Sequence, residues 1–116
     1  MEARAISRYI RQSPRKMRRV VDLIRGRSVG EAYGILQFSK KRAAEAIDKT
    51  LRSAVANARV KAENAGEFVD VDDLYVKEAY VNEGPFLKRW RAAAMGRAAP
   101  VRRPTSHVVI VVDRKE

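Results

Sequence analysis

Between Gly84 and Pro104 the chain carries Lys88, Arg89, Arg91, Arg97, Arg102 and Arg103 and not one acidic residue. Such side chains neutralise phosphates, and the planar guanidinium fork of arginine meets two phosphate oxygens at once. Phe86 and Trp90 lie among them and offer flat faces on which an unpaired base stacks. A second basic set stands near the N-terminus at Arg8, Arg11, Arg15, Lys16, Arg18, Arg19 and Arg25, and a third at Lys40, Lys41 and Arg42. Ser13, Thr105 and Ser106 add hydroxyls that suit phosphate oxygens, and His107 adds a ring that stacks or titrates. Catalysis is poorly supplied. With no cysteine and one histidine there is no thiolate nucleophile, disulfide, cysteine-based zinc site or multi-histidine metal centre. A ribonuclease would have to recruit His107 with Glu83 or Asp113, at a spacing that suggests no acid–base pair. The expectation is a protein that is not an enzyme and takes no cofactor or metal.

Of 116 residues, 25 are Lys or Arg and 14 Asp or Glu, a formal charge of +11. The excess is concentrated: residues 1–27 carry +7, 28–59 carry +3 and 84–104 carry +6, whereas 60–83 carry −5 and the last twelve are neutral. Two basic stretches separated by an acidic one predict two lobes of a polyanion-binding surface with a solvated back. The longest apolar run, Val108 to Val112, is far short of the ~20 residues of a spanning helix, and no apolar leader opens the chain. A soluble, cytoplasmic protein with no membrane partner is therefore expected.

The elements that must hold these groups follow from periodicity. Ser13-Pro14 predicts a helix start, with the hydroxyl capping an orphan N–H and proline preset at the first position, and the helix runs from Pro14 to Arg25 before Gly26. At about 100° per residue Met17, Val20, Val21 and Ile24 share one face, with Arg15, Arg18, Arg19 and Arg25 opposite. Ser28 and Glu31 form a capping-box pattern opening a short helix to about Phe38. From Ser39 a third helix of roughly two dozen residues carries Ala43, Ala44, Ile47, Leu51, Ala54, Val55, Ala58 and Ala62 on one stripe until Asn64 and Gly66. Lys40-Lys41-Arg42 then occupy its start, where the helix dipole favours anions that phosphates would supply. Strands are expected over Ala3 to Arg11, with Ile6 and Ile10 on one face, over Leu74 to Val81, with a bulge between Val76 and Ala79, and over Val108 to Val112, buried on both faces.

The predicted fold class is α+β: three helices packed on one face of a three-stranded antiparallel sheet, with a long protruding β-hairpin. It is expected to be a single domain, with a globular body of residues 1–83 and 105–116 and an extended hairpin at about 84–104. Ten residues out and ten back reach about 30 Å at ~3.3 Å per residue. An isolated two-stranded ribbon is marginally stable in water, so it needs a partner, and a thin basic ribbon suits RNA helices. A helix-turn-helix reading fails because the second and third helices lack an exposed basic recognition face.

Seven strings occur in order along essentially the whole chain: Ser13-Pro14-Arg15-Lys16 with Arg18, Val21-Asp22-Leu23-Ile24-Arg25-Gly26, Tyr75-Val76-Lys77, Glu83-Gly84-Pro85, Leu87-Lys88-Arg89, Gly96-Arg97-Ala98 and Thr105-Ser106-His107. Together they resemble the bacterial large-subunit ribosomal protein twenty-two family. The resemblance implies a structural constituent of the large ribosomal subunit that binds and organises large-subunit ribosomal RNA during assembly. It also implies a hairpin extending inward to line the polypeptide exit tunnel. The partners implied are that RNA, neighbouring large-subunit ribosomal proteins and the nascent polypeptide, with no homo-oligomer. Carried over, Ser13 to Arg19 lie against RNA backbone and Gly84-Pro85 start the hairpin. Arg91, Ala92, Ala93, Ala94, Met95, Gly96 and Arg97 form its tunnel-lining tip, and Thr105-Ser106-His107 mark the return into the sheet. The chain departs from the pattern at Ala93 and Met95, where further basic residues are common, and at Pro104, where a basic residue is usual. The alternative left open is a non-ribosomal architectural DNA- or RNA-binding protein.

Overall fold

Five consecutive apolar residues of a strand can all be buried only where the strand has neighbours on both edges and cover on both faces. In the computed structural model, which describes residues 2–92 and 94–115 apart from the side chains of Leu87, Arg89, Pro100, Val101 and Arg102, that strand is β5 (Ser106–Arg114). It pairs antiparallel with β1 (Glu2–Ile10) on one side and β2 (Leu74–Glu83) on the other. Val108, Ile110 and Val112 face the helices, while Val109 and Val111 are nearly buried on the opposite face. The expected bulge in β2 is present as a register shift between Val76 and Glu78.

Helices α1 (Pro14–Ile24), α2 (Val29–Phe38) and α3 (Ala43–Asn64) share one core with the inner face of the sheet. Met17, Val20, Val21 and Ile24 are fully buried, as the wheel requires. The alanine stripe of α3 lies along β1 and β5, where small side chains let helix and sheet approach closely. Ser28 accepts from the Glu31 N–H at 3.3 Å, the predicted cap of α2.

Three local expectations are corrected. The Ser13 hydroxyl makes no capping bond; only its carbonyl enters the helix, accepting from Met17 N–H at 3.1 Å. Helix α3 begins at Ala43 and not at Ser39, whose hydroxyl accepts from Lys41 N–H in a local turn. Lys40 and Lys41 therefore precede the helix, and Glu45 is the charge in its first turn, as the dipole prefers. Ile6 and Ile10 do not share a face. A register shift between Ser7 and Ile10, with Tyr9 at φ 58°, inserts an extra residue that turns Ile10 toward the core and leaves Ile6 on the outer face.

Two outward carbonyls on each edge strand are taken by side chains from the helices and their ends. On β2, Arg18 donates through Nε and Nη2 to Val81 O at 3.3 and 3.0 Å, and Arg25 to Ala79 O at 3.0 and 2.6 Å. On β1, Asn57 donates to Arg4 O at 2.9 Å and Lys61 to Glu2 O at 2.6 Å. Replacing Arg18 and Arg25 together by methionine, which keeps the apolar stems, is expected to lower the unfolding free energy by about 1–2 kcal/mol, discounted for their exposure. Urea denaturation checks this; an unchanged midpoint would mean that water serves these carbonyls equally well.

Strands β3 (Leu87–Ala92) and β4 (Ala98–Arg103) form the separate ribbon, registered from Leu87 opposite Arg103 to Ala92 opposite Ala98. Its end turns through Ala94–Gly96, with Met95 at φ 62° and Gly96 at φ 71°. The molecule measures 67 × 28 × 16 Å with a radius of gyration of 17.5 Å. A compact chain of this length has about 13 Å, and the ribbon accounts for the excess.

Candidate nucleic-acid interface

Cations from three distant parts of the sequence meet where α1 and α3 begin and the ribbon leaves the body. Arg11 and Ser13 from the β1–α1 connection, Lys16 and Arg19 from α1, Lys41 and Arg42 from before α3, and Arg103 from the end of β4 line a cleft of about 740 Å³, with Gln12, Ala43 and Pro104. Neither helix that opens into this basic concavity has a side-chain cap, although at α3 the Ala44 and Glu45 N–H groups already donate to Lys41 O and Arg42 O. Such a place holds an anionic backbone.

Elsewhere part of the positive charge is balanced within the chain: Arg27 pairs with Glu31, Lys49 with Glu45, Arg52 with Asp48, and Arg114 with Glu67. Lys77 is held by the carboxylates of Glu2 and Asp113, and its hydrogen bond to Glu2 raises its pKa above the ordinary lysine value. Arg52 also lies 5.1 Å from the ring centre of Tyr33, whose hydroxyl is pushed up by burial. Among the described residues, Arg11, Lys16, Arg19, Lys41, Arg42 and Arg103 have no such carboxylate partner. Solvated surface charge is normally mixed in sign; six unpaired cations in one concavity leave a field that an external anion must balance.

The ribbon is rooted beside this cleft by residues first read as RNA contacts. Thr105 is buried and donates to Pro85 O at 2.6 Å, and its carbonyl accepts from Gly84 N–H at 2.9 Å. Ser106, fully buried, donates to Gln12 O at 2.6 Å. His107 Nδ1 accepts from Tyr9 N–H at 3.0 Å, and the Tyr9 ring meets the imidazole edge-on at 5.0 Å. The expectation that Thr105 and Ser106 reach phosphates is corrected, since both hydroxyls are spent on the chain's own carbonyls; His107, expected to stack or titrate, supports the bulge of β1. Arg18 and Arg25 are likewise engaged with β2.

Of the other expected contacts, Arg8, Arg15 and Lys40 are exposed outside the cleft lining, and Lys88, Trp90, Arg91 and Arg97 are exposed along the ribbon. The side chains of Arg89 and Arg102 lie outside the described residues, as does Ala93 of the expected tip. Ala92, Ala94, Met95 and Gly96 are exposed at the ribbon's far end. No helix among the described residues is long and apolar enough to cross a membrane, and no acid or histidine cluster there has the makings of a metal site.

A sequence model of the family described as ribosomal protein L22p/L17e matches residues 5–113, a span that takes in body, cleft and ribbon. The chain belongs to this family. It is similar to the large ribosomal subunit protein uL22 of Bifidobacterium longum, 57% identical over 116 residues that cover all of this chain and 98% of the relative. The protein of the same description from Halothermothrix orenii is 54% identical with the same coverage. That of Desulfitobacterium hafniense is 55% identical, covering 99% of this chain and 97% of the relative.

Within this L22p/L17e chain, the functional residues that escaped sequence reasoning are structural supports. Gln12 anchors Ser106 through its carbonyl, and Asn57 and Lys61 close the outer edge of β1. A backbone acceptor leaves no trace in residue type. For Gly84 the signal was present in the Gly84-Pro85 turn, but only the structure shows what a side chain there would strike.

Proposed function

We infer that the chain is a structural, non-enzymatic constituent of the large ribosomal subunit in the cytoplasm, which binds and organises large-subunit ribosomal RNA alongside neighbouring ribosomal proteins. The observation that carries the mode of binding is the cleft of six cations without internal carboxylate partners. In this reading Arg11, Lys16, Arg19, Lys41, Arg42 and Arg103 take backbone phosphates where separate RNA strands converge, with Arg8, Arg15 and Lys40 flanking them. Lys88, Arg91 and Arg97 carry the contact outward along the ribbon. Phosphate neutralisation releases counterions, so affinity falls with salt and the shape of the folded RNA sets the position. The body is one domain, and the ribbon orders fully against RNA. Its tip at Ala92–Arg97 lines the exit tunnel and meets the nascent polypeptide. The protein acts as a single copy, consistent with edge strands that each have two outward carbonyls engaged.

Sedimentation of a lysate through a high-salt sucrose gradient tests this reading. The protein is expected to remain with the large subunit at equal stoichiometry; recovery at the top of the gradient as a free small protein would overturn it.

A further inference from the structure

We propose that Trp90 is a stacking platform for an unpaired RNA base, distinct in chemistry from the phosphate contacts of the ribbon that flank it; the proposal rests on the RNA-binding reading above. Trp90 is the only tryptophan of the chain, and 70% of it is exposed. Among the described residues its ring has no aromatic or cation partner. Regular alternation along β3 puts Trp90 and Ala92 on one face, with Ala98 directly opposite Ala92. Arg91 falls on the other face with Arg103, which is registered opposite Leu87. The indole face therefore carries Lys88 on the side toward the body and only alanine methyls beyond Trp90 toward the tip, and the other face carries Arg91 and Arg103.

This pairing of an exposed indole with flanking cations selects the ligand. An apolar protein groove would desolvate the basic residues that crowd the segment, since residues 84–104 hold six cations and no acid. A nucleic acid accepts both, the base on the indole and the backbone on the cations. The bases of a duplex are paired and stacked on each other, so a ring on a narrow ribbon reaches only a base in a junction, bulge or loop. The alanines beside the indole leave room for a second flat ring to lie on it. Trp90 thereby fixes where along the RNA the ribbon comes to rest, which charge alone does not specify.

The lone indole is its own reporter. The intact protein is titrated with a bacterial large-subunit ribosomal RNA transcript while filter retention measures binding independently of emission. Expected results are strong quenching of the indole with protection from acrylamide, affinity about 5- to 100-fold weaker for Trp90→Ala, a smaller loss for Trp90→Phe, and an unchanged salt slope in both variants. Circular dichroism of the variants confirms a folded body. Tight binding with unquenched, acrylamide-accessible emission, or equal affinity for Trp90→Ala, overturns the proposal and leaves the cleft reading standing. A blue shift without quenching also overturns it, because it marks burial against an apolar protein surface. Absence of RNA binding in every variant and in the parent chain sinks the underlying RNA-binding reading, and the proposal with it.

Discussion

Replacing Arg11, Arg19 and Arg42 together by glutamine is expected to weaken binding to large-subunit ribosomal RNA about 50- to 150-fold near 0.15 M salt. Each phosphate contact contributes about 0.7 to 0.9 to the slope of log K against log salt, so three lost contacts flatten it by about 2 to 3. The three residues enter the cleft from the β1–α1 connection, from α1 and from the start of α3, and none is part of the buried core. Folding should therefore be little changed. A control separates placement from total charge: Arg27→Gln, Lys49→Gln and Arg52→Gln remove the same three charges from sites where each is paired with a carboxylate. The control is expected to change the slope far less. Equal losses in both triple variants would show that net charge, and not the cleft, governs binding.

The second large effect concerns the root of the ribbon. A Cβ added at Gly84 would stand 2.4 Å from Thr105 Oγ1 and 3.2 Å from the His107 ring. Thr105 cannot give way cheaply, because it is buried and its hydroxyl is held by Pro85 O at 2.6 Å. Gly84→Ala is expected to destabilise the chain by about 1–3 kcal/mol through this overpacking. Adding Thr105→Ala removes the atom that is struck, so the double variant should be more stable than the sum of the single effects predicts, by about 1 kcal/mol or more. Urea denaturation of the four proteins closes the cycle. Strict additivity would mean that the backbone shifts to make room and that the junction is loose.

Particular residues show where sequence reading succeeds and where it stops. The buried faces of α1 and α3 were legible because a periodic apolar stripe fixes its own burial, and Val108 to Val112 was legible because no edge strand hides five apolar residues in a row. The basic groups were legible as types, but their meeting was not, since residues 11–19, 41–43 and 103 converge only through tertiary packing. Arg15 and Arg18 read alike on a helical wheel and both are exposed, yet Arg18 bonds to Val81 O, a difference set by where β2 runs. Thr105 and Ser106 misled for a related reason. A hydroxyl suits a phosphate oxygen and a carbonyl equally well, and the carbonyls of Pro85 and Gln12 come from far along the chain. Ile6 and Ile10 were assigned one face because a bulge that inserts a residue in β1 has no signature in residue types.

The side chains that bond to Glu2, Arg4, Ala79 and Val81 carbonyls bear on the interval before assembly. An open β-sheet invites a strand from another copy to extend it. Here an incoming strand finds two acceptors on each border already taken, and must displace an arginine pair on one side or an asparagine and a lysine on the other. The newly synthesised body is thus guarded against fibril-like growth, and that protection comes from the same helices whose opposite ends frame the cleft for RNA.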